Sequence, residues 1–244
     1  MPSSRLSGRT YPRGGLHGQI VHAIGHQIVS GEIPPGEQLP TEAALPASRT
    51  VLREAIKVLA AKGLVESRPK TGTRVRPRHA WNLLDPDVLA WHQDSVPPAA
   101  LLSELTEVRL IVEPAAAELA ARRAGVAEVQ AIDEAYRDME VALRGRVKDY
   151  EAFNQADMQF HQAIVRACGN ELLEQMGQVV YSALLVAFLA TSRLPGRAKA
   201  SLPEHRAILD AIRGRHASRA RAAMRLLVES TAREIERLPR HRRP

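Results

Sequence analysis

The spacing of apolar residues along this chain predicts helices over most of its length. In residues 16–30, apolar side chains recur at helical intervals until Gly31 ends the pattern. A second helix is predicted to begin near Thr41, whose hydroxyl can cap it, and a third to span residues 48–62. Three helices are therefore expected in the first quarter of the chain.

The pattern changes after Gly63 from helical spacing to two short segments typical of strands. Residues 64–67 and 73–75 carry the strand pattern, and the residues between them are basic and contain a glycine. These segments predict a hairpin, or wing. Three helices followed by such a hairpin describe a winged helix-turn-helix.

Residues beyond the hairpin are again predicted to be mostly helical. Glycine and proline residues divide them into six helices, near residues 98–124, 126–143, 147–168, 170–191, 198–213 and 215–237. We therefore predict a mainly α protein, with an N-terminal winged helix-turn-helix and a C-terminal all-α bundle of six to seven helices.

Composition shifts along the chain predict five segments. They are a disordered N-terminus (1–14), a winged helix-turn-helix domain (15–78), a linker (79–97) with a short helix near residues 85–92, a helical domain (98–237) and a basic tail (238–244).

Charge is distributed unevenly between the two ends of the chain. The net charge is +7, and residues 1–80 hold 12 Lys/Arg against 5 Asp/Glu, whereas residues 81–244 hold 22 of each. A basic small domain joined to a neutral larger one is typical of a nucleic-acid-binding module.

Cysteine content and the length of apolar runs indicate a soluble, cytoplasmic protein. Cys168 is the one cysteine, which excludes a disulfide framework. The N-terminus lacks the apolar run of a signal peptide, and the longest apolar run, residues 179–190, is too short to span a bilayer. We therefore expect no membrane partner.

Two arginines lie on one face of the third predicted helix. Ser48 stands at its N-cap position, where a hydroxyl can accept a hydrogen bond from a free backbone amide. Arg49 and Arg53 are four residues apart and therefore project from the same side. Such a helix suits insertion into a DNA major groove, although an ordinary amphipathic helix with solvated arginines has the same pattern. The basic charge of the surrounding sequence favours DNA binding.

Polar residues interrupt the apolar stripes of three helices in the C-terminal part. Asp157 and His161 lie one turn apart on one stripe, His205 lies on a second, and Arg109 lies on a third. Because burying unpaired polar groups is costly, we expect these residues to converge on one another or on a ligand. The apolar residues of the three stripes are Tyr150, Phe153, Phe160, Ile164 and Cys168, then Leu202, Ile208, Leu209 and Ile212, then Leu102, Leu105, Val108 and Val112.

Two interpretations of these polar residues stay open. An aspartate and two histidines form a ligand set suited to a divalent metal such as zinc, and an inward arginine suits capture of a carboxylate. Alternatively, the histidines are satisfied core residues, the Asp–His pair is a structural hydrogen bond, and Arg109 pairs with Glu113 or Asp157. Four such residues in an Ala/Leu-rich domain favour a polar cavity.

Two sets of motifs carry a resemblance to a known family. The N-terminal set is GEIPPGEQLPTE, SRTVLREAIKVLAAKGLV and GTRV, and the C-terminal set is EVRLIVEPAAAELAA, ADMQFHQAIVRACGN and LPEHRAILDAI. Over residues 16–237 the chain resembles the GntR superfamily of bacterial transcription regulators, in its FadR branch with an FCD-type C-terminal domain. WNLLDPDVLAWH and EAFNQAD are most similar to the D-galactonate-responsive repressors of that branch.

The resemblance implies a ligand-responsive transcription regulator rather than an enzyme. It implies a homodimer that binds a double-stranded DNA operator and is released by a small carboxylate effector, a sugar acid. The helical domain would then serve effector binding and dimerisation. The implied site residues are Ser48, Arg49, Thr50, Arg53, Lys70, Thr71 and Gly72 for DNA, Arg109 for the effector, and Asp157, His161 and His205 for a divalent metal.

Two departures from the family's pattern bear on function. Only Pro46 and Ala47 separate Leu45 from Ser48, where the family usually has a longer segment. Either the turn into the arginine helix is rebuilt more tightly, or DNA binding is weakened or lost. Leu227 stands where a fourth metal-binding histidine often occurs, which leaves either a three-ligand site with open positions or a site that binds metal poorly.

Three functions compete on these grounds. The leading one is a ligand-responsive DNA-binding repressor. An all-α metalloenzyme using Asp157, His161 and His205 would need a nearby general base, and the basic wing would have no role in it. A degenerate regulator would keep dimerisation and effector binding without DNA binding.

Overall fold

The computed structural model of the chain describes residues 11–12, 14–39, 48–68, 72–93, 99–144, 148–177 and 197–237. The helix predicted to begin near Thr41, the end of the helix predicted at 170–191, and the basic tail lie outside these residues. Contacts along the chain divide it into two compact units, Met1–Val96 and Pro97–Pro244. The predicted mainly α fold with a two-stranded wing is confirmed.

The described part of the first unit contains three α-helices, a hairpin and a short 3-10 helix. In chain order these elements are α1 (Gly15–Ser30), α2 (Arg49–Ala61), β1 (Val65–Arg68), β2 (Gly72–Val75), a 3-10 helix (Arg78–Ala80) and α3 (Pro86–Gln93). The two strands are antiparallel, with Val65 opposite Val75. The buried apolar residues that join these elements into one core include Val21, Ile24, Ile28, Leu52, Ala55, Leu59, Val65, Val75, Trp81, Val88 and Trp91.

Part of the predicted linker packs into this core. Trp81 and Trp91 are 7% and 1% exposed, so both indole rings are removed from water. Gly25 of α1 lies against Trp91, and a Cβ there would be 2.5 Å from the ring. The absence of a side chain at Gly25 therefore allows α1 and α3 to pack closely.

Tyr11, within the segment predicted to be disordered, is held by hydrogen bonds. Its backbone amide donates to the carboxylate of Asp87 at 2.9 Å, and its hydroxyl is bonded to His17 Nδ1 at 2.8 Å. Trp91 Nε1 donates to His22 Nδ1, which leaves His22 Nε2 to donate to the Tyr11 carbonyl at 3.0 Å. Tyr11 is thus attached to both α1 and α3.

The second unit is helical throughout its described length. Its helices are α4 (Ala99–Arg123), α5 (Val126–Ala142), α6 (Tyr150–Ala167), α7 (Arg197–Arg213) and α8 (Ala217–Arg237), and residues 171–177 are also helical. α4 packs along α8 and α6, α5 packs along α6, and α7 packs along α8. The largest fully buried apolar side chains of the unit are Ile132, Met139, Phe160, Ile164 and Ile208.

Two residues assigned to the apolar stripes face solvent instead. Tyr150, in the first turn of α6, is 44% exposed, and Val108 is 37% exposed. On α4 the buried face passes through Leu105, Arg109 and Val112, so Arg109 replaces Val108 in the stripe. No described helix carries an apolar stretch long enough to cross a bilayer.

Candidate nucleic-acid interface and metal centre

The predicted recognition helix is α2, and its two faces differ as the sequence indicates. Ser48 caps the helix, with its hydroxyl accepting from the Val51 amide at 3.4 Å. Leu52 is buried against the core, whereas Thr50 and Arg53 are exposed. Arg49 begins the helix, but its side chain lies outside the described part. Arg53 is therefore a cation that solvent, or a DNA groove, can reach.

The hairpin forms the wing expected from the sequence. Arg68 pairs with Gly72 at its distal end, and Gly72 adopts a φ of +80°, which glycine tolerates without steric strain. Residues Lys70 and Thr71, predicted to contact DNA, lie outside the described residues. A third strand-like segment pairs with β2 through the isolated bridge between Gln38 and Arg74.

A buried ion-pair cluster at the end of α2 was missed by sequence reasoning. Lys62, the C-cap residue, places Nζ 2.8 Å from Asp85 Oδ1 and 2.6 Å from Asp87 Oδ2. Burial opposes the charge, but the two carboxylates outweigh it and raise the pKa of Lys62 above its ordinary value. The cluster joins α2 to α3, and no local sequence pattern relates Lys62 to a carboxylate more than twenty residues away.

The three predicted metal ligands meet inside the second unit. Asp157 and His161 come from α6 and His205 from α7, and one ligand atom from each lies within 4.8 Å of the others. Asp157 Oδ1 is 2.6 Å from His205 Nε2 and 3.7 Å from His161 Nε2. All three side chains are buried. Two of the candidate ligands thus lie one turn apart on α6, and the third comes from a second helix, α7.

The outer nitrogens of both histidines face acceptors. His205 Nδ1 lies 2.8 Å from the Ser201 carbonyl, which can only accept, so the proton is on Nδ1. His161 Nδ1 lies 2.9 Å from Glu113 Oε2, a close charge contact rather than an aligned hydrogen bond, and the carboxylate favours a proton on Nδ1. His205 Nε2 is then unprotonated and faces Asp157, whereas His161 Nε2 lies near both Arg109, at 3.5 Å, and Asp157, at 3.7 Å. This arrangement of outer partners is the one that orients imidazoles as metal ligands.

Hydrogen-bond geometry at the centre also fits a cation. Within the described part of the chain, neither Asp157 Oδ1 nor His205 Nε2 has a well-aligned hydrogen-bond partner, despite their short separation. Burial opposes ionisation of Asp157, but His205, His161 and Arg109 outweigh it and lower the pKa of Asp157. A buried carboxylate and two imidazole nitrogens directed at one another suit zinc or a similar divalent ion.

Arg109 lies beside this centre and pairs with Glu113, which is one of the two partners that the sequence analysis named. Its Nε donates to Glu113 Oε1 at 2.7 Å, and one terminal nitrogen is 3.5 Å from His161 Nε2. Arg109 is 2% exposed and Glu113 1% exposed. Burial opposes ionisation of Glu113, but Arg109 and His161 lower the pKa of Glu113 to about 2. Glu113 is thus a charged member of the centre, whereas the sequence indicated it only as a partner of Arg109.

Leu227, at the position of the histidine that the resemblance leads one to expect, is buried in the apolar core of the second unit. Among the described residues, the candidate metal cluster therefore has three protein ligands, none of them from α8.

Comparison with known proteins places both units in one family. Residues 16–75 match the gntR family of bacterial regulatory proteins, and residues 104–230 match the FCD domain. The galactonate operon transcriptional repressor of Escherichia coli (strain K12) is 35% identical over 229 residues, which cover 90% of this chain and 96% of the repressor. The HTH-type transcriptional regulator LutR of Bacillus subtilis (strain 168) is 31% identical over 209 residues, covering 81% and 90% of the two chains.

A solved structure shows the same fold at lower identity. Lar, which controls the expression of the Listeria monocytogenes agr system, superimposes with a TM-score of 0.66 at 16% identity, over 95% of this chain and 100% of Lar. This structural similarity supports only the fold of the chain. From the two family matches and the curated relatives, this chain belongs to the GntR family of bacterial transcription regulators and carries an FCD domain.

Proposed function

We propose that this regulator is a homodimeric repressor that a sugar acid, galactonate or a close analogue, releases from its operator. The observation that carries the effector site is the convergence of Asp157, His161 and His205 on one buried point, with Arg109 beside it. The proposal that the acid is a sugar acid rests on similarity to the galactonate operon repressor.

The chemistry of the centre suits an aldonic acid. Three protein ligands leave coordination positions at a bound divalent ion for a carboxylate and a neighbouring hydroxyl. Such an ion would supply positive charge that neutralises the carboxylate in a buried site. Asp157, His161 and His205 would hold the ion, and Arg109 would supply charge and donors for the acid.

On the DNA side, α2 would enter the major groove and the wing would approach the minor groove. The domain of residues 15–78 would read the operator, and that of residues 98–237 would bind the effector and dimerise. A twofold dimer would read two half-sites about one helical turn apart. The exposed side chains of Thr50 and Arg53, behind the Ser48 cap, support this assignment.

The test begins with DNA fragments selected from genomic DNA by the purified wild-type protein. Fluorescence anisotropy with the enriched fragment is then measured in zinc and increasing D-galactonate, with D-gluconate and D-glucuronate as alternative acids and galactitol as a polyol without a carboxylate. We expect galactonate to weaken DNA binding at least tenfold and galactitol to have no effect.

Each arm of this experiment has a contradicting outcome. Failure to enrich any fragment would favour a regulator that has lost DNA binding, as the short segment before Ser48 allows. Enrichment without a response to any of the three acids would refute the sugar-acid effector while leaving the DNA-binding assignment in place.

A further inference from the structure

Beyond the three expected ligands, we propose that Glu113 is a positioning residue for the metal centre, holding His161 and Arg109 in place and supplying the charge that lets the centre accept a dication. The inference rests on the proposed metal site and adds to it a residue on a different helix.

Glu113 connects two helices at the buried centre. It lies on α4, one turn after Arg109, and its carboxylate reaches His161 on α6. Arg109 donates to both of its oxygens, from Nε to Oε1 at 2.7 Å and from a terminal nitrogen to Oε2 at 3.3 Å, and Oε2 also lies 2.9 Å from His161 Nδ1. One carboxylate therefore contacts both a guanidinium and an imidazole.

The two histidines differ in the charge of their outer partners. His205 Nδ1 faces the neutral carbonyl of Ser201, whereas His161 Nδ1 faces a carboxylate. A carboxylate behind an imidazole raises its basicity and strengthens it as a metal ligand. Loss of Glu113 should therefore weaken the contribution of His161 while leaving that of His205 unchanged.

Glu113 also sets the formal charge of the centre. With neutral histidines, Arg109, Glu113 and Asp157 together carry one negative charge, since two carboxylates oppose one guanidinium. Replacing Glu113 by glutamine makes the buried set neutral and removes the carboxylate to which Arg109 donates. Inserting a dication next to that guanidinium would then meet unscreened repulsion in a buried environment.

Glu113→Gln and Glu118→Gln form a matched pair of variants for testing this role. Glu118 lies on the same helix and also pairs with an arginine four residues away, Arg122 at 2.6 Å, but its side chain is 21% exposed and its second partner is Arg221 rather than a histidine. The zinc dissociation constant of each full-length, metal-stripped variant is measured by competition with a chromophoric chelator, and its apo melting temperature is measured in parallel.

We expect Glu113→Gln to weaken zinc binding by about 10- to 100-fold, as loss of an outer-sphere partner does elsewhere, and Glu118→Gln to stay within about twofold of wild type. Wild-type zinc affinity in Glu113→Gln would overturn the inference, whatever its melting temperature, because a purely structural carboxylate changes stability alone. If the wild-type chain itself binds no zinc, the proposed metal site fails and the role of Glu113 fails with it.

A second variant keeps the test decisive if Glu113→Gln does not fold. Arg109→Met with Glu113→Met replaces the buried ion pair by apolar side chains, a change that proteins often tolerate. The buried set keeps one negative charge in this double variant, because a cation and an anion are removed together. It therefore tests the lost partner of His161 separately from the charge, and zinc binding should weaken by about tenfold. Unchanged zinc affinity there would equally refute the positioning role.

Discussion

Lys62 Nζ lies 2.6 Å from Asp87 Oδ2 in a buried ion pair that joins the end of α2 to α3. Asp87 also accepts from the Tyr11 amide, so one carboxylate secures α2, α3 and the segment before α1. The orientation of α2 within the first unit therefore depends partly on residues that follow the wing in the sequence.

Lys62→Met should destabilise the protein by about 3–5 kcal/mol, because it leaves the Asp87 charge buried without its cation. Lys57→Met is the control, since Lys57 pairs with Glu54 on the same helix but both side chains are more than half exposed. The control should cost less than about 1 kcal/mol. Urea denaturation measures both, and equal losses would contradict a special role for the buried pair.

Arg53→Ala and Arg49→Ala should each weaken operator binding by about 1–3 kcal/mol if they contact guanines. Arg225→Ala removes an exposed arginine of α8 that pairs with Glu229, and should leave DNA affinity unchanged. A gel-shift titration with the selected fragment provides the measurement. Unaltered affinity in both α2 variants would remove the recognition-helix assignment.

His161→Ala and His205→Ala should each lower the amount of bound divalent metal, because each removes one of three converging ligands. His216→Ala removes an exposed histidine of the same unit and should retain the metal. Elemental analysis of the purified variants measures occupancy. Full occupancy in both buried-site variants would exclude the proposed centre.

Gly25→Ala should destabilise the first unit, since the new Cβ would lie 2.5 Å from the buried Trp91 ring. Overpacking of this kind costs about 1–3 kcal/mol. In a Trp91→Phe background the contacting ring atoms are absent, so the same substitution should cost less. Thermal unfolding of the four proteins in this cycle measures the coupling, and an identical cost in both backgrounds would rule out the steric cause.

Acid stability should depend on Glu113 in metal-free protein. Arg109 and His161 outweigh burial and lower the pKa of Glu113 from 4.5 to about 2 in the folded protein. A lowered pKa stabilises the fold above the unfolded value, so this contribution is complete above about pH 4.5 and is lost as the pH falls towards 2. Over that window, the unfolding free energy of wild type should fall more steeply than that of Glu113→Gln. Parallel slopes would show that Glu113 protonates alike in the folded and unfolded chains.

Local sequence patterns were sufficient for much of the fold. The helical periodicity of residues 126–143 and 198–213 predicted α5 and α7 to within a residue at each end, because an amphipathic stripe and its glycine breaks are local properties. Val108 and Tyr150 were misplaced because periodicity marks the width of an apolar face only coarsely, and packing against neighbouring helices decides its edges.

Residue types and spacing alone determined the mainly α class, the arginine helix with its serine cap, and the polar residues that break the apolar stripes of the helical unit. Tertiary structure decided which of those polar residues share one centre, that Glu113 joins Arg109 to His161, and that Trp91 and Asp87 bind the supposed linker to the first core. Helical spacing relates residues within a few turns of one another. These contacts join residues tens of positions apart, and their geometry exists only once the helices have packed.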